Sequence, residues 1–242
     1  LILFTAIILG QVRGAIVGLI AGIFFLGLSL VIGNLLSRRK RIVIVVCISF
    51  LILFLIAFWN LRQNEFIRDI PGLSKISSLS LTESTVQTRL LVWNIALKGF
   101  GDVPVLGAGP ENFNYLFNAH YNPQLLKFGG GGFGETWFDK PHNAFLEILA
   151  ETGIIGFGAY ILILAAAVLA LYKLWKNGEK FFPAFLASAF IAYLGSVFFA
   201  FDSFGSWFGL YLMLGFLVSL TNTNVTNQRT NDANKNQWLR NL

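Results

Sequence analysis

The stretch Asp139-Lys140-Pro141-His142-Asn143-Ala144-Phe145-Leu146-Glu147, followed by Glu151 and Gly153, puts a histidine, an amide and two carboxylates at the mouth of a long apolar run. Ionisable groups at the edge of a membrane segment are costly to keep there. A neutral histidine is suited to taking a proton from a hydroxyl near pH 7. Arginine is suited to phosphate, because its planar fork makes bidentate, charge-assisted contacts. Arg13 and Arg89 both stand beside apolar segments.

Those groups need elements to hold them. Pro141 fits the first turn of a helix, with Asp139 as a cap before it and His142 in the first turn. A helix N-terminus disfavours imidazolium and keeps such a base neutral. Asn143, Glu147 and Glu151 follow at i, i+4 and i+8 and share one face. Run on to about Trp175, this helix spans roughly 50 Å, more than the ~30 Å hydrocarbon core, with kinks expected at Gly153 and Gly156. Two readings are open at this point: an active-site edge facing water, or a capped helix start whose polar stripe packs on neighbouring helices.

Composition bounds the class. The 242 residues are 55% hydrophobic and 12% charged, with 25 Phe and a mean hydropathy of +0.67. Soluble domains carry about twice that share of charge, so the chain reads as an integral membrane protein. The net charge of +6 does not indicate a nucleic-acid partner. Arg38-Arg39-Lys40-Arg41 and Lys173, Lys176, Lys180 are tight clusters between apolar runs, the pattern of cytoplasmic loops. Cys47, the single cysteine, lies in an apolar run and excludes a disulfide framework or a cysteine-based metal site.

In order, Leu1–Leu9 is too short to span, and the sequence opens inside an apolar run without methionine. It therefore reads as the C-terminal part of a longer protein whose missing helices belong to the same fold. Gly14–Leu36 makes a full span, with Gly14, Gly18 and Gly22 at the small-xxx-small spacing of close helix packing. Ile42–Trp59 is a second span ending on an interfacial tryptophan. Residues 60–140 form a long polar excursion, external if the basic clusters are inside, and loops of that size are usually functional. Within it, Ser84-Thr85-Val86-Gln87 resembles a capping box. Val86, Leu90, Trp93 and Leu97 mark the apolar face of an amphipathic helix, with Arg89 beside it. Glu111–Tyr121 suggests a short helix, and Phe128–Gly134 is glycine-rich. After the long helix, Phe181–Phe201 returns outward, Asp202–Ser206 turns, and Trp207–Leu220 goes back in. Residues 221–242 read as a disordered cytoplasmic tail. The fold class expected is all-α, a polytopic transmembrane bundle with a large external loop, in two parts: a membrane domain over residues 1–220 and the tail.

This topology sets Arg13, Arg89, His120 and His142 on one side of the membrane. Two arginines and a histidine on one face fit a transferase acting on a lipid-linked phosphorylated donor. There is no P-loop, no Gly-x-Ser-x-Gly and no Cys/His metal spacing. Each residue also has a structural reading: Arg13 as a snorkelling interfacial arginine, Arg89 as a solvent-facing residue, His120 as a turn residue. Glu147 and Glu151 could bond across helices, and Asp202 could cap its turn. A transporter or scaffold with the loop as lid is the reading from another class. A transporter, however, should hold ionisable groups near mid-membrane, whereas here they cluster at one edge.

Arg89-Leu-Leu-Val-Trp93, Pro104-Val-Leu-Gly-Ala-Gly109-Pro-Glu-Asn-Phe113, Pro141-His142-Asn143-Ala-Phe-Leu146-Glu147 and Glu151-Thr-Gly153-Ile-Ile-Gly156 together resemble the O-antigen ligase/polymerase superfamily. The similarity runs from about Ile8 to Leu220. It implies a GT-C-type, multi-pass inner-membrane glycosyltransferase of lipopolysaccharide or other surface-polysaccharide assembly. Such an enzyme moves a glycan from undecaprenyl pyrophosphate to a hydroxyl on a glycan, lipid or protein acceptor, by an inverting reaction without cofactor or metal, at the external (periplasmic) face. Carried over by motif, Arg89 faces the donor pyrophosphate and His142 is the histidine at the end of the external loop. Arg13 is the arginine of a Ser-Arg-Gly motif, with Val12 here in place of the serine. On this basis His142 and Arg89 are the expected catalytic residues, and Arg13, Arg89, Asn143 and Glu147 the expected substrate-binding ones. A polymerase of the same superfamily would differ in its acceptor.

Overall fold

The computed structural model describes residues 13–61, 84–128 and 136–240. The expected truncated helix over Leu1–Leu9, the first part of the long excursion and the glycine run lie outside those residues. The protein is 79% helical, with no strand among the described residues. Among the described residues, eight helices follow in order: α1 (Arg13–Ile32), α2 (Arg38–Leu61), α3 (Ser84–Asp102), α4 (Phe113–Ala119), α5 (Leu125–Phe128), α6 (Ala144–Lys176), α7 (Phe181–Phe198) and α8 (Phe204–Arg240). Stretches of α1, α2, α6, α7 and α8 are long and apolar enough to cross a membrane. The chain is therefore an all-α, multi-pass membrane protein.

The glycine spacing in α1 has its partner in α7. A Cβ at Gly18 would lie 2.3 Å from Ala192 O, and one at Gly22 would lie 2.7 Å from Ser188 O. Small residues on both helices thus let the two backbones touch, as packing inside lipid requires. The two basic clusters gather at one end of the bundle. Arg38–Arg41 open α2 as its first helical turn rather than forming a loop. Lys173 and Lys176 close α6, and Lys180 Nζ lies 3.5 Å from Gly33 O.

At the other end, α3, α4, α5 and the 136–143 segment form a cap with its own core. Val92, Ile95, Phe113, Phe117 and Leu125 are buried there, joined by Phe138 and by Ala150 of α6. The inward face of α3 is Thr88, Val92, Ile95, Ala96 and Gly99. Leu90 and Leu97 of the expected apolar stripe lie on a different side of the helix, away from that core and exposed. The helix carries two apolar stripes, and the smaller residues face in because α4 approaches closely. A Cβ at Gly99 would meet Leu116 Cβ at 2.8 Å.

α6 is two helices joined at an elbow. Gly153 has φ 64 and ψ −167, outside the helical region. Fifteen residues of straight helix would separate Phe145 from Tyr160 by about 22 Å, yet their ring centroids are 5.9 Å apart. The kink expected at Gly153 is thus sharp enough to reverse the helix, which shortens the expected run of roughly 50 Å: Ala144–Thr152 folds back along the half that begins at Ile154. The break frees backbone groups that must be satisfied. The 104–109 loop satisfies them, through Ile154 N to Pro104 O (2.8 Å), Ala108 N to Ala150 O (3.1 Å) and Gly109 N to Glu151 O (2.8 Å). The clasp is backbone on backbone. A Cβ at Gly153 would lie 2.3 Å from Val105 O, and one at Gly107, itself at φ +70, would lie 2.3 Å from Glu151 C. Beyond its span, α8 stays helical in backbone to Arg240, across the polar stretch for which the sequence predicts disorder. That stretch has no glycine or proline to stop a helix.

Candidate functional site

His142 sits outside the helix. α6 starts at Ala144, and its N-cap is Asn143, whose side chain accepts from Leu146 N at 3.0 Å. Asp139 is not the cap, and Asn143 does not extend the Glu147/Glu151 stripe. Asn143 takes the capping role because its extended backbone (φ −156) and short amide suit a cap, whereas His142 bends the chain into it at φ 54. A non-glycine residue in that left-handed region costs of order 1 kcal/mol and persists only where its surroundings fix it.

The surroundings are aromatic. The His142 ring stands edge-to-face between Phe138 (5.8 Å) and Phe201 (5.4 Å). Its Nδ1 is 3.2 Å from Lys140 O. A carbonyl oxygen can only accept, so Nδ1 carries the proton, and in the neutral ring Nε2 keeps its lone pair. Pro141, between His142 and Lys140, is fully buried. Its carbonyl accepts from Trp93 Nε1 at 3.0 Å, and the Trp93 ring packs edge-on against Phe198 (5.8 Å).

This places the expected site residues. Arg89 is half-buried on α3, four residues before Trp93 and so on the same side of the helix. Arg13 is the first residue of α1, and its neighbour Gly14 packs against Ser196 and Phe199. Ala144 N donates to Ala200 O at 3.1 Å. The α1 start, the Arg89–Trp93 turn and the His142 segment therefore all meet the chain between Ser196 and Phe201. His120 stands apart, paired with Asp102 at 2.6 Å.

Glu147 does not join His142. It and Glu151 are buried, and Lys140 Nζ bridges Glu147 Oε1 (2.9 Å) and Glu111 Oε1 (3.0 Å). Glu151 Oε2 accepts from Glu111 N at 2.9 Å. Burial alone would lower the Lys140 ammonium, but its hydrogen bonds to Glu147 and Glu111 and their charges outweigh that and hold it above the ordinary lysine value. Asp202 accepts from Tyr193 OH at 2.8 Å. Burial pushes its carboxyl up, against the opposing hydrogen bonds from Ser206 and Tyr193. Glu111, Lys140, Glu147, Glu151 and Asp202 line one cavity of ≈ 370 Å³ in the elbow of α6, with Tyr160, Trp207 and Tyr211 also in its lining. Lys140, Glu111 and Asp202 were missed as site residues. The available signal was the pair Glu147/Glu151, four apart in an apolar helix, which calls for a cation nearby.

The sequence of residues 1–161 matches the O-antigen ligase family, a region that covers α1 to α5, the clasp and the elbow. The chain belongs to that family. No curated protein and no solved structure matches it. Membership makes the chain a membrane protein of the ligase/polymerase type, an enzyme that acts on glycans.

Proposed function

We propose that this O-antigen ligase family member transfers a glycan from undecaprenyl pyrophosphate to an acceptor hydroxyl, in one inverting displacement and without a metal. The observation that carries the reading is the His142 Nδ1 contact to Lys140 O, which puts a ring proton on Nδ1 and leaves Nε2 as the nitrogen that can accept one. The acceptor oxygen attacks the anomeric carbon while its proton passes to Nε2. The bond from that carbon to the phosphate oxygen breaks, and its electron pair leaves with the pyrophosphate. Arg89 and Arg13, charged throughout, hold and neutralise that leaving group. Asn143 serves by fixing the turn that carries His142, and Glu147 binds substrate from the elbow cavity. The basic clusters at the opposite end of the bundle support an external cap under the positive-inside rule. The membrane domain then covers residues 1–220, and 221–242 follow it as a cytoplasmic tail.

The test is transfer by purified protein in nanodiscs, supplied with a glycan on undecaprenyl pyrophosphate and read as released undecaprenyl pyrophosphate. Arg89→Ala and His142→Ala should each lose about a hundredfold or more in rate while inserting and folding normally. Full activity in both variants sinks the assignment.

A further inference from the structure

Far from the cap, a groove of ≈ 470 Å³ lies between residues 25–32 of α1, 168–175 of α6 and 183–191 of α7. α1 meets α7 backbone to backbone at Gly18 and Gly22, and the groove begins one turn further on, where that glycine series has ended. Of its lining, Leu171, Ala184 and Phe190 are buried. Leu28, Ile32, Val168 and Tyr172 are exposed on the apolar flank, so the groove opens sideways toward lipid. Seven residues of helix rise about 10 Å, which keeps the groove within one half of the ~30 Å hydrocarbon core. That half is the one at the basic end, since the lining closes on Ile32 and Trp175, one residue before α1 and α6 end.

Two cations stand where the groove ends. Gly33 follows Ile32, and a Cβ there would lie 2.8 Å from Trp175 Cη2. Lys180 Nζ lies 3.5 Å from Gly33 O, and Arg41 Nη1 donates to Asn34 Oδ1 on the next residue. An ammonium has three donors and the Gly33 carbonyl takes one, which leaves donors for an anionic oxygen. Lys180 is also the N-cap residue of α7 and gives it no side-chain cap, so the start of that helix adds backbone N–H groups at the same corner.

The order of these features selects the ligand. Apolar walls suit a hydrocarbon chain, Tyr172 and Trp175 stand at the depth where aromatic side chains meet headgroups, and the cations follow. Arg38, Arg39, Lys40, Arg41, Lys173, Lys176 and Lys180 carry this end of the described helices, against Glu179. Basic pockets between membrane helices suit the headgroups of anionic lipids, and a positively charged headgroup would be repelled here.

We propose that this groove binds one anionic phospholipid from the leaflet at the basic end, with a chain between α1, α6 and α7 and its phosphate against Lys180 and Arg41. Under the positive-inside rule that leaflet is the cytoplasmic one, and only that word rests on the proposed orientation. The bound lipid ties α1 to α6 and α7 at the end of the bundle opposite the cap, and it stabilises the fold without entering the transfer reaction.

Photolabelling tests it. The full chain, purified and stripped of lipid in dodecyl maltoside, is labelled with phosphatidylglycerol carrying a diazirine in one chain, and the labelled peptides are mapped. Label should concentrate on residues 25–32, 168–175 and 183–191. Plain phosphatidylglycerol should compete it away, phosphatidylcholine of the same chains should need at least about fivefold more, and inorganic phosphate should not compete. Lys180→Gln and Arg41→Gln should each weaken labelling roughly fivefold, the worth of one basic residue against an anionic lipid. Lys180→Arg, which keeps the charge, should keep labelling near wild type and so separates a lost contact from a lost fold. Lys173→Gln removes a basic residue that lines a different cavity, beside Thr221, and should leave labelling unchanged. Phosphatidylcholine competing as well as phosphatidylglycerol makes the groove a general lipid-facing surface and overturns the proposal. Competition by inorganic phosphate makes it an anion site without a chain, and an equal loss in Lys173→Gln makes it the field of the whole basic end; either result overturns it. Label absent from the three segments means that another helix or a second copy of the chain fills the groove, and that also overturns it.

Discussion

Lys140 and His142 are two residues apart and touch the same Phe201 ring, yet they stand in opposite electrostatic settings. On the lysine side, one ammonium offsets buried carboxylates, with hydrogen bonds of 2.9 and 3.0 Å fixing it between helix and cap. On the histidine side, the ring meets aromatic and backbone groups. The ring is held by two aromatic edges and one carbonyl, which fixes its orientation and tautomer. The difference shows how one short stretch can serve stability and chemistry at once. Buried Pro141 and the Asn143 cap hold the backbone still, and the two side chains either side of Pro141 then meet separate demands.

The comparison can be broken from either side. The largest stability effect should come from the lysine side. Lys140→Met leaves Glu147 buried without its counter-charge and should cost about 3 kcal/mol. Thermal unfolding in detergent would register it as a marked fall in Tm. An unchanged Tm would mean that the bridge is ornamental and the two sides are alike. Gly153→Ala should come close behind, also at roughly 3 kcal/mol, because the added Cβ meets the Val105 backbone and φ 64 is strained for alanine. Its signature should include faster amide exchange at Ile154 and Ala108, the two sides of the clasp. The smallest effect sharpens the histidine side. Asn143→Ala removes an N-cap and should cost about 1 kcal/mol. If Asn143 positions His142, transfer should fall by more than that loss of stability explains.

Much of this fold is legible in residue order because its signals are local. The glycines of α1 announced a close helix contact, and that contact was found against α7. The stretch at 139–151 stood out because ionisable residues border an apolar run. The elbow was hidden. Gly153 can mark a kink in any sequence, and only the clasp from residues 104–109, some forty positions away, turns a kink into a reversal. The same distance hid Lys140 and Glu111, whose partners lie across the elbow, and led to Glu147 being read beside the histidine. The face of α3 that packs in the cap core was hidden for a different reason. With two apolar stripes, periodicity alone cannot choose between them, and Gly99 against Leu116 made the choice.

The central claim is that His142, not the carboxylate cluster, takes the proton. The direct test is the single-turnover rate of His142→Ala at saturating donor, per folded molecule, with Tm measured on the same preparation. The account predicts a rate per folded molecule at least about a hundredfold below wild type, beyond any fall in Tm that losing the Phe138 and Phe201 contacts brings. A wild-type rate in that variant would contradict it and move the base to the other side of Phe201.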